Sequence, residues 1–152
     1  DRFLMRLTIG YPGEDAEKRI LLESASTEPL LDALEPVLTP HQVVQLQSEV
    51  ESVRADDAIV DHLMEIVRKT RGAAGFRMGV SPRGAIALFR GARAYALVSG
   101  RRYLVPDDVR RLVIPCLAHR LLPAGSTAAT LDAHEQAAAL LERILEETEP
   151  PV

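Results

Sequence analysis

Aromatic side chains are scarce in this sequence and tryptophan is absent: 4% of its 152 residues are aromatic, while 47% are apolar. A core can therefore form, but it has to be packed from Leu, Val, Ile and Ala, as in bundled helices. Cysteine occurs once, at Cys116, which excludes an intrachain disulfide and fits a reducing compartment. No apolar run approaches the length of a membrane span, and no charged-then-apolar signal opens the chain. A cytoplasmic location is expected, with no membrane partner. Lysine is nearly missing, with only Lys18 and Lys69. The first residue is Asp1 rather than Met, as expected of a piece of something longer.

Chemistry-bearing motifs are also missing. There is no glycine-rich loop followed by lysine to cradle a phosphate, and no CxxC pair. The four histidines, His41, His62, His119 and His134, never take the i,i+4 spacing of a zinc helix. Each reads as surface or as helix filling, and no metal site is expected. Asp56–Asp57 and Asp107–Asp108 stand where helices begin, which points to capping before acid–base catalysis. The length allows one domain, or one domain with a short appendage.

What is present is an uneven distribution of charge within a net −4. Glu14 to Glu65 holds thirteen acidic residues against Lys18, Arg19 and Arg54. Arg83 to Arg111 holds seven arginines against Asp107 and Asp108. The second half can thus face an anion.

Patterning gives one strand and then helices. Residues 3–9, FLMRLTI, alternate and predict a strand, closed by the turn GYPG. A lone strand is not stable by itself, so its partners must lie elsewhere. Pro12 and Gly13 then open a helix of about 13 residues, with Glu14, Asp15 and Glu17 in its first turn, where the helix dipole favours acids; Ala16, Ile20 and Leu21 are its expected buried face. TEPLLDALEPVL, between Pro29 and Pro36, reads as an extended connector. Thr39, Pro40 and Gln42 make a capping box for a helix expected to bury Val43, Leu46, Val50 and Val53. Asp56 caps the next helix, with Ile59, Leu63, Ile66 and Val67 on one face, and RGAAGFRMG breaks it. Ser81 caps a further helix with Pro82 as its first residue; it is apolar almost all round and is expected to be central. Its stripe of Gly84, Ala87, Gly91 and Ala94 predicts close approach of a neighbour, and Gly100 stops it. Pro106 opens another helix, which Pro115 kinks or ends, and a last amphipathic helix covers roughly Leu131 to Glu146.

Arg83 stands out because it lies in the first turn of the central helix. A cation gains nothing from the dipole there, whereas an anion would. A bound phosphate resolves the conflict. Spacing alone leaves open the blander reading, an arginine snorkelling from a buried helix into water.

The stretches DRFLMRLTIGYP, LEPVLTP, GVSPRGAIALFRGARAYAL and GRRYLVPDDVRRLVIPCLAHRL, in this order from Asp1 to about Leu121, resemble the C-terminal part of the MoxR family of AAA+ ATPases. The resemblance implies an all-α helical-bundle lid domain over residues 12–152. Residues 1–11 are then the strand and hinge left over from the α/β core. By likeness, Arg83 matches the sensor 2 arginine, which meets the phosphates of its own subunit's nucleotide. Arg2 matches the arginine finger, which serves a neighbouring subunit. Tyr11, Pro12 and Ile20 match positions that flank the adenine. The implied setting is ATP with Mg²⁺ in a full-length ATPase, a ring of subunits (a hexamer), chaperone-like remodelling or assembly, and a partner protein with a von Willebrand A domain. Walker A and Walker B elements are not in this sequence, so by itself it is expected to bind no cofactor and to hydrolyse nothing. Two other readings stand beside this one. The first is a helical nucleic-acid-binding module using Arg90, Arg93, Arg101, Arg102, Arg110 and Arg111, against which net acidity and the lack of a reading-helix signature argue. The second is a protein-interaction module whose acidic first half docks a basic partner.

Overall fold

The computed structural model describes residues 3–23, 34–72, 75–125 and 131–151. Arg2 and residues 27–33 of the expected connector lie outside them. The described residues form six helices: α1 (Glu14–Glu23), α2 (Pro40–Ser52), α3 (Asp57–Gly72), α4 (Pro82–Val98), α5 (Pro106–Leu117) and α6 (Leu131–Glu146). Two short strands, β1 (Phe76–Met78) and β2 (Leu122–Pro123), pair antiparallel. The chain divides into two compact units, one of residues 1–6 with 46–152 and one of residues 7–45.

The larger unit owns the core. Along α3 the residues Ile59, Leu63, Ile66 and Val67 are buried, as their spacing predicts. Leu88, Ala92 and Ala96 of α4 and Val109, Val113, Cys116 and Leu117 of α5 are wholly buried. The most extensive packing joins α4 to α5. The small-residue stripe lies in this contact: a Cβ on Gly91 would stand 3.4 Å from both Cys116 Sγ and Leu112 Cδ1, in van der Waals contact with α5. Gly100, at φ 77°, ends α4. Its N–H donates to Leu97 O and that of Arg101 to Ala96 O, both at 2.9 Å, which closes the last turn in a Schellman motif. Helix α5 runs only two residues past Pro115 before tightening into a 3₁₀ turn over Ala118–Arg120.

The expected strand over residues 3–9 is not formed; these residues join no ladder. A strand exists through its hydrogen-bonded neighbours, and here the backbone is tied to helix ends. Arg6 N–H donates to Pro115 O (2.9 Å), and the Phe3 carbonyl accepts from His119 Nε2 (3.2 Å) and from Arg120 Nη2. The ladder that does form, Phe76 opposite Pro123 and Met78 opposite Leu122, escapes the sequence because two and three residues are too short for alternation to register.

The smaller unit differs from expectation in burial. Thr39 and Gln42 make the capping box as predicted, with Gln42 N–H on Thr39 Oγ1 at 3.2 Å and Thr39 N–H on Gln42 Oε1 at 2.7 Å. Yet α1 buries nothing fully: Ala16 is half-buried, and Ile20 and Leu21 are exposed. Val43, in the part of α2 that belongs to this unit, is also exposed; in the part that belongs to the larger unit Leu46 is exposed and Val50 half-buried, and Val53, just past the helix, is buried. The apolar spacing is right, but among the described residues these positions stay exposed or half-buried.

Candidate functional site

The mouth of α4 is built from three segments. Val80 is buried, and both of its backbone polar groups are taken by side chains from the end of α3. Its N–H donates to Thr70 Oγ1 at 3.0 Å, and its carbonyl accepts from Arg71 Nε at 2.9 Å. The Thr70 hydroxyl in turn donates to Val67 O at 2.7 Å. Gly79 lies directly on α3: a Cβ there would stand 2.4 Å from Arg71 Cα, so no other residue fits without displacing backbone. Ser81 follows in extended conformation, and its Oγ accepts the Gly84 N–H at 3.2 Å, as the cap expected from sequence. Pro82 fills the first helical position. Arg83 then projects from the first turn, exposed.

A third arginine meets the same junction. Arg120, from the 3₁₀ turn, donates through Nε to Cys116 O at 2.8 Å, and its Cδ lies 3.6 Å from where a Gly84 Cβ would be. The end of α3 and the turn after α5 thus each place an arginine stem beside the start of α4, with the heads of Arg71 and Arg120 donating to backbone carbonyls and Arg83 exposed. Such a surface can hold an anion: the helix end contributes its dipole and Arg83 a planar guanidinium with several donors.

The remaining sequence-derived residues lie elsewhere in the chain. Tyr11, 97% exposed, and Pro12 precede α1, and Ile20 sits on its exposed side, all within the smaller unit. The arginines of the nucleic-acid reading are mostly occupied within the chain. Arg93 donates to Val53 O (3.0 Å) and Glu51 O and stacks on Phe89. Arg102 pairs with Glu49 at 3.0 Å, Arg110 holds Thr148 O at 2.9 Å, and Arg111 bonds the Tyr95 hydroxyl. Arg101 grips Asp108 with two bonds of 2.7 and 2.6 Å. Arg90 remains exposed on α4. Guanidiniums committed to the fold make a poor phosphate-tracking surface.

Three features were not read from sequence. The first is the Thr70–Arg71 grip on Val80, for which neither residue type nor spacing gives a signal. The second is the Arg101–Asp108 pair. Asp108 is buried, which works against its charge, but the Arg101 hydrogen bonds, the Val105 N–H at 3.0 Å and the guanidinium charge prevail and hold its carboxyl below the usual range. Asp108 in the first turn predicted a cap, and it does accept the Val105 N–H, but its main partner lies in the preceding loop. The third is His62, buried in α3. Burial lowers its pKa, the Arg110 charge lowers it further, and Glu65 and the Glu149 backbone pull the other way. Beside it Asp61, Glu65, Lys69 and Glu149 line an open cleft. Among the described residues no three His, Cys, Asp or Glu side chains are grouped to hold a metal ion. Cys116 is buried, which pushes its thiol up.

Residues 68–144 match the family described as AAA lid domain. That span begins at the end of α3, so it takes in the grip on Val80, Arg83 and the packed pair α4–α5. The uncharacterized protein YeaC of Bacillus subtilis is 44% identical over 122 residues, covering 80% of this chain and 38% of that protein. Chaperone MoxR1 of Mycobacterium tuberculosis is 30% identical over 131 residues, covering 80% of this chain and 34% of that protein. The chain thus spans well under half the length of these relatives. Among solved structures, the crystal structure of a candidate ATPase from Cytophaga hutchinsonii superposes with a TM-score of 0.78 at 20% identity, over 99% of this chain and 47% of that one.

Proposed function

The chain belongs to the AAA lid domain family, of MoxR type, and from that premise we propose that it is the helical lid of an ATP-hydrolysing AAA+ protein, in which Arg83 is the sensor 2 arginine. Residues 1–11 are then the end of the α/β core and residues 12–152 the lid. The observation that carries this reading is the first turn of α4, where an exposed arginine stands on a junction fixed by the buried Val80–Thr70 hydrogen bond and the Ser81 cap. A cation at a helix N-terminus is mildly unfavourable alone. Placed beside a phosphate it joins the helix end as a second donor set, and arginine's planar fork suits phosphate oxygens.

ATP, when bound with its Mg²⁺, supplies the phosphoryl group to be transferred; the residues of this chain orient and shield it. Arg83 donates to the phosphate end and draws the lid toward the core as it does so. Tyr11, Pro12 and Ile20 flank the adenine, and their exposure supports this, since side chains already buried could not receive a base. In this reading the Mg²⁺ ligands belong to Walker A and Walker B elements, which this sequence does not contain. Arg2 serves the neighbouring subunit of a ring, a hexamer in this reading. Lid movement on hydrolysis then remodels or assembles a client in the cytoplasm, together with a protein carrying a von Willebrand A domain.

Arg83→Ala in the full-length protein tests the reading. Loss of one donor aimed at a transition state is expected to lower hydrolysis on the order of 10²-fold. The unfolding midpoint should not move, because the side chain is exposed. Hydrolysis at the parent rate would leave Arg83 a snorkelling surface residue.

A further inference from the structure

We propose that Thr70 and Arg71, at the end of α3, are positioning residues that set the direction in which Arg83 leaves the fold; this rests on the reading of Arg83 given above. An arginine has a long, flexible stem, so the accuracy of its head depends on the base it stands on. Three residues upstream of Arg83, Val80 has its N–H and its carbonyl held at once, by the hydroxyl of Thr70 at 3.0 Å and by Nε of Arg71 at 2.9 Å. Holding both groups of one residue fixes the peptide planes on either side of it. The chain then enters the cap at Ser81 and the first turn of α4 along a single path.

Three further facts separate this from ordinary packing. Arg71 is exposed, yet it turns Nε inward onto a backbone carbonyl instead of leaving it to water. Thr70 is 1% exposed and uses its hydroxyl twice, donating to Val67 O at 2.7 Å while accepting from Val80, so the grip is anchored in the helix body. Gly79, with no room for a Cβ against Arg71, lets the loop lie directly on the end of α3, within reach of these two bonds. Neither Thr70 nor Arg71 is required to cap α4, because Ser81 does that. What their two bonds add is orientation. A misplacement of about 1 Å in a group acting on a transition state can cost about 10²-fold.

The test is a double-mutant cycle on ATP hydrolysis by the full-length protein. Thr70→Val keeps the shape and removes the hydroxyl, Thr70→Ser restores a hydroxyl, and Arg71→Ala removes the second bond, with the unfolding midpoint of each variant measured to separate lost orientation from lost stability. Thr70→Val and Arg71→Ala are each expected to lower kcat about tenfold, with Thr70→Ser close to the parent. The decisive result is non-additivity: on an Arg83→Ala background, Thr70→Val and Arg71→Ala should cost nothing further. Amide hydrogen exchange should show Val80 N–H losing protection in Thr70→Val. If Arg83→Ala is slow while Thr70→Val and Arg71→Ala run at the parent rate, the reading of Arg83 stands and this proposal falls. If their effects multiply in full with that of Arg83→Ala, they act through general stability, and the proposal falls again. If Arg83→Ala itself runs at the parent rate, both fall.

Discussion

Ile20 and Leu21 in α1 and Ile66 and Val67 in α3 are the same kinds of side chain on helices of similar amphipathic design, yet the first pair is 58% and 73% exposed and the second pair is wholly buried. The difference lies in what stands opposite. In the larger unit, α4 offers a glycine–alanine stripe that lets α5 approach, and α3 and α6 close over the resulting core. Among the described residues of the smaller unit, α1 and the start of α2 meet no such surface. Periodicity therefore marks a face that can be buried, and a complementary face decides whether it is. Each large aliphatic side chain left in water forgoes about 1.5–3 kcal/mol. Grouped exposed apolar residues mark surfaces built for a partner, which on the proposed reading is the core of the same ATPase.

The comparison can be broken most sharply by truncation. Leu88→Ala, at the wholly buried centre of α4, is expected to cost about 4 kcal/mol, because it removes transfer free energy and leaves a cavity. Leu21→Ala in α1 is expected to stay within about 0.5 kcal/mol. Urea unfolding of both variants of this chain measures the contrast, and similar losses at the two sites would erase the distinction between the regions.

A smaller effect is expected at the start of α5. Arg101→Ala strands the Asp108 carboxylate, 1% exposed, without its main partner. Removing one member of a buried pair costs about 3 kcal/mol, at the low end here because the Arg101 side chain keeps a quarter of its surface in water. Asp108→Asn combined with Arg101→Met should recover part of that loss in the same unfolding experiment. Arg102, whose pairing with Glu49 is solvent-exposed, gives the control: Arg102→Ala should move the midpoint little.

The smallest effect is a pH dependence at His62. Its pKa in the fold lies below the ordinary 6.5, through burial first and then the Arg110 charge. The unfolded chain therefore binds the proton first as pH falls. His62 contributes its full stability above about 6.5; the loss sets in as pH drops through that value and is complete at the lower folded pKa. Glu65 and the Glu149 backbone favour the proton, while Arg110 and Lys69 oppose it. Between pH 7.5 and 5, His62→Phe should flatten the fall in the unfolding midpoint relative to the parent. An unchanged slope would place the titration elsewhere, with His134, whose pKa burial also lowers, as the alternative.

Local signals account for much of the architecture. Thr39 with Gln42, Ser81 with Pro82, Pro106 and Gly100 each marked a helix end that the structure contains, because caps and stops are short-range chemistry written in a few adjacent residues. The same holds for the buried face of α3 and for the closeness of α4 to α5, which follow from side-chain spacing and from the absence of Cβ atoms. Arg83 was legible as a cation in the wrong place on a helix.

Other features depended on residues far apart in the chain. Alternation over residues 3–9 predicted a strand, but strand formation needs a second backbone, and the one that meets Arg6 is the carbonyl of Pro115 at a helix end. Arg93, Arg101, Arg110 and Arg111 looked like a free basic cluster until Val53 O, Asp108, Thr148 O and the Tyr95 hydroxyl were found to take their donors. The sequence by itself determined the helices, their ends and the residue types available to meet an anion, because these depend on neighbours within about four positions. Only the tertiary structure decided which apolar faces are covered, which arginines are committed, and that Thr70 and Arg71 hold Val80, because each of these is a meeting of groups whose separation in the chain carries no pattern.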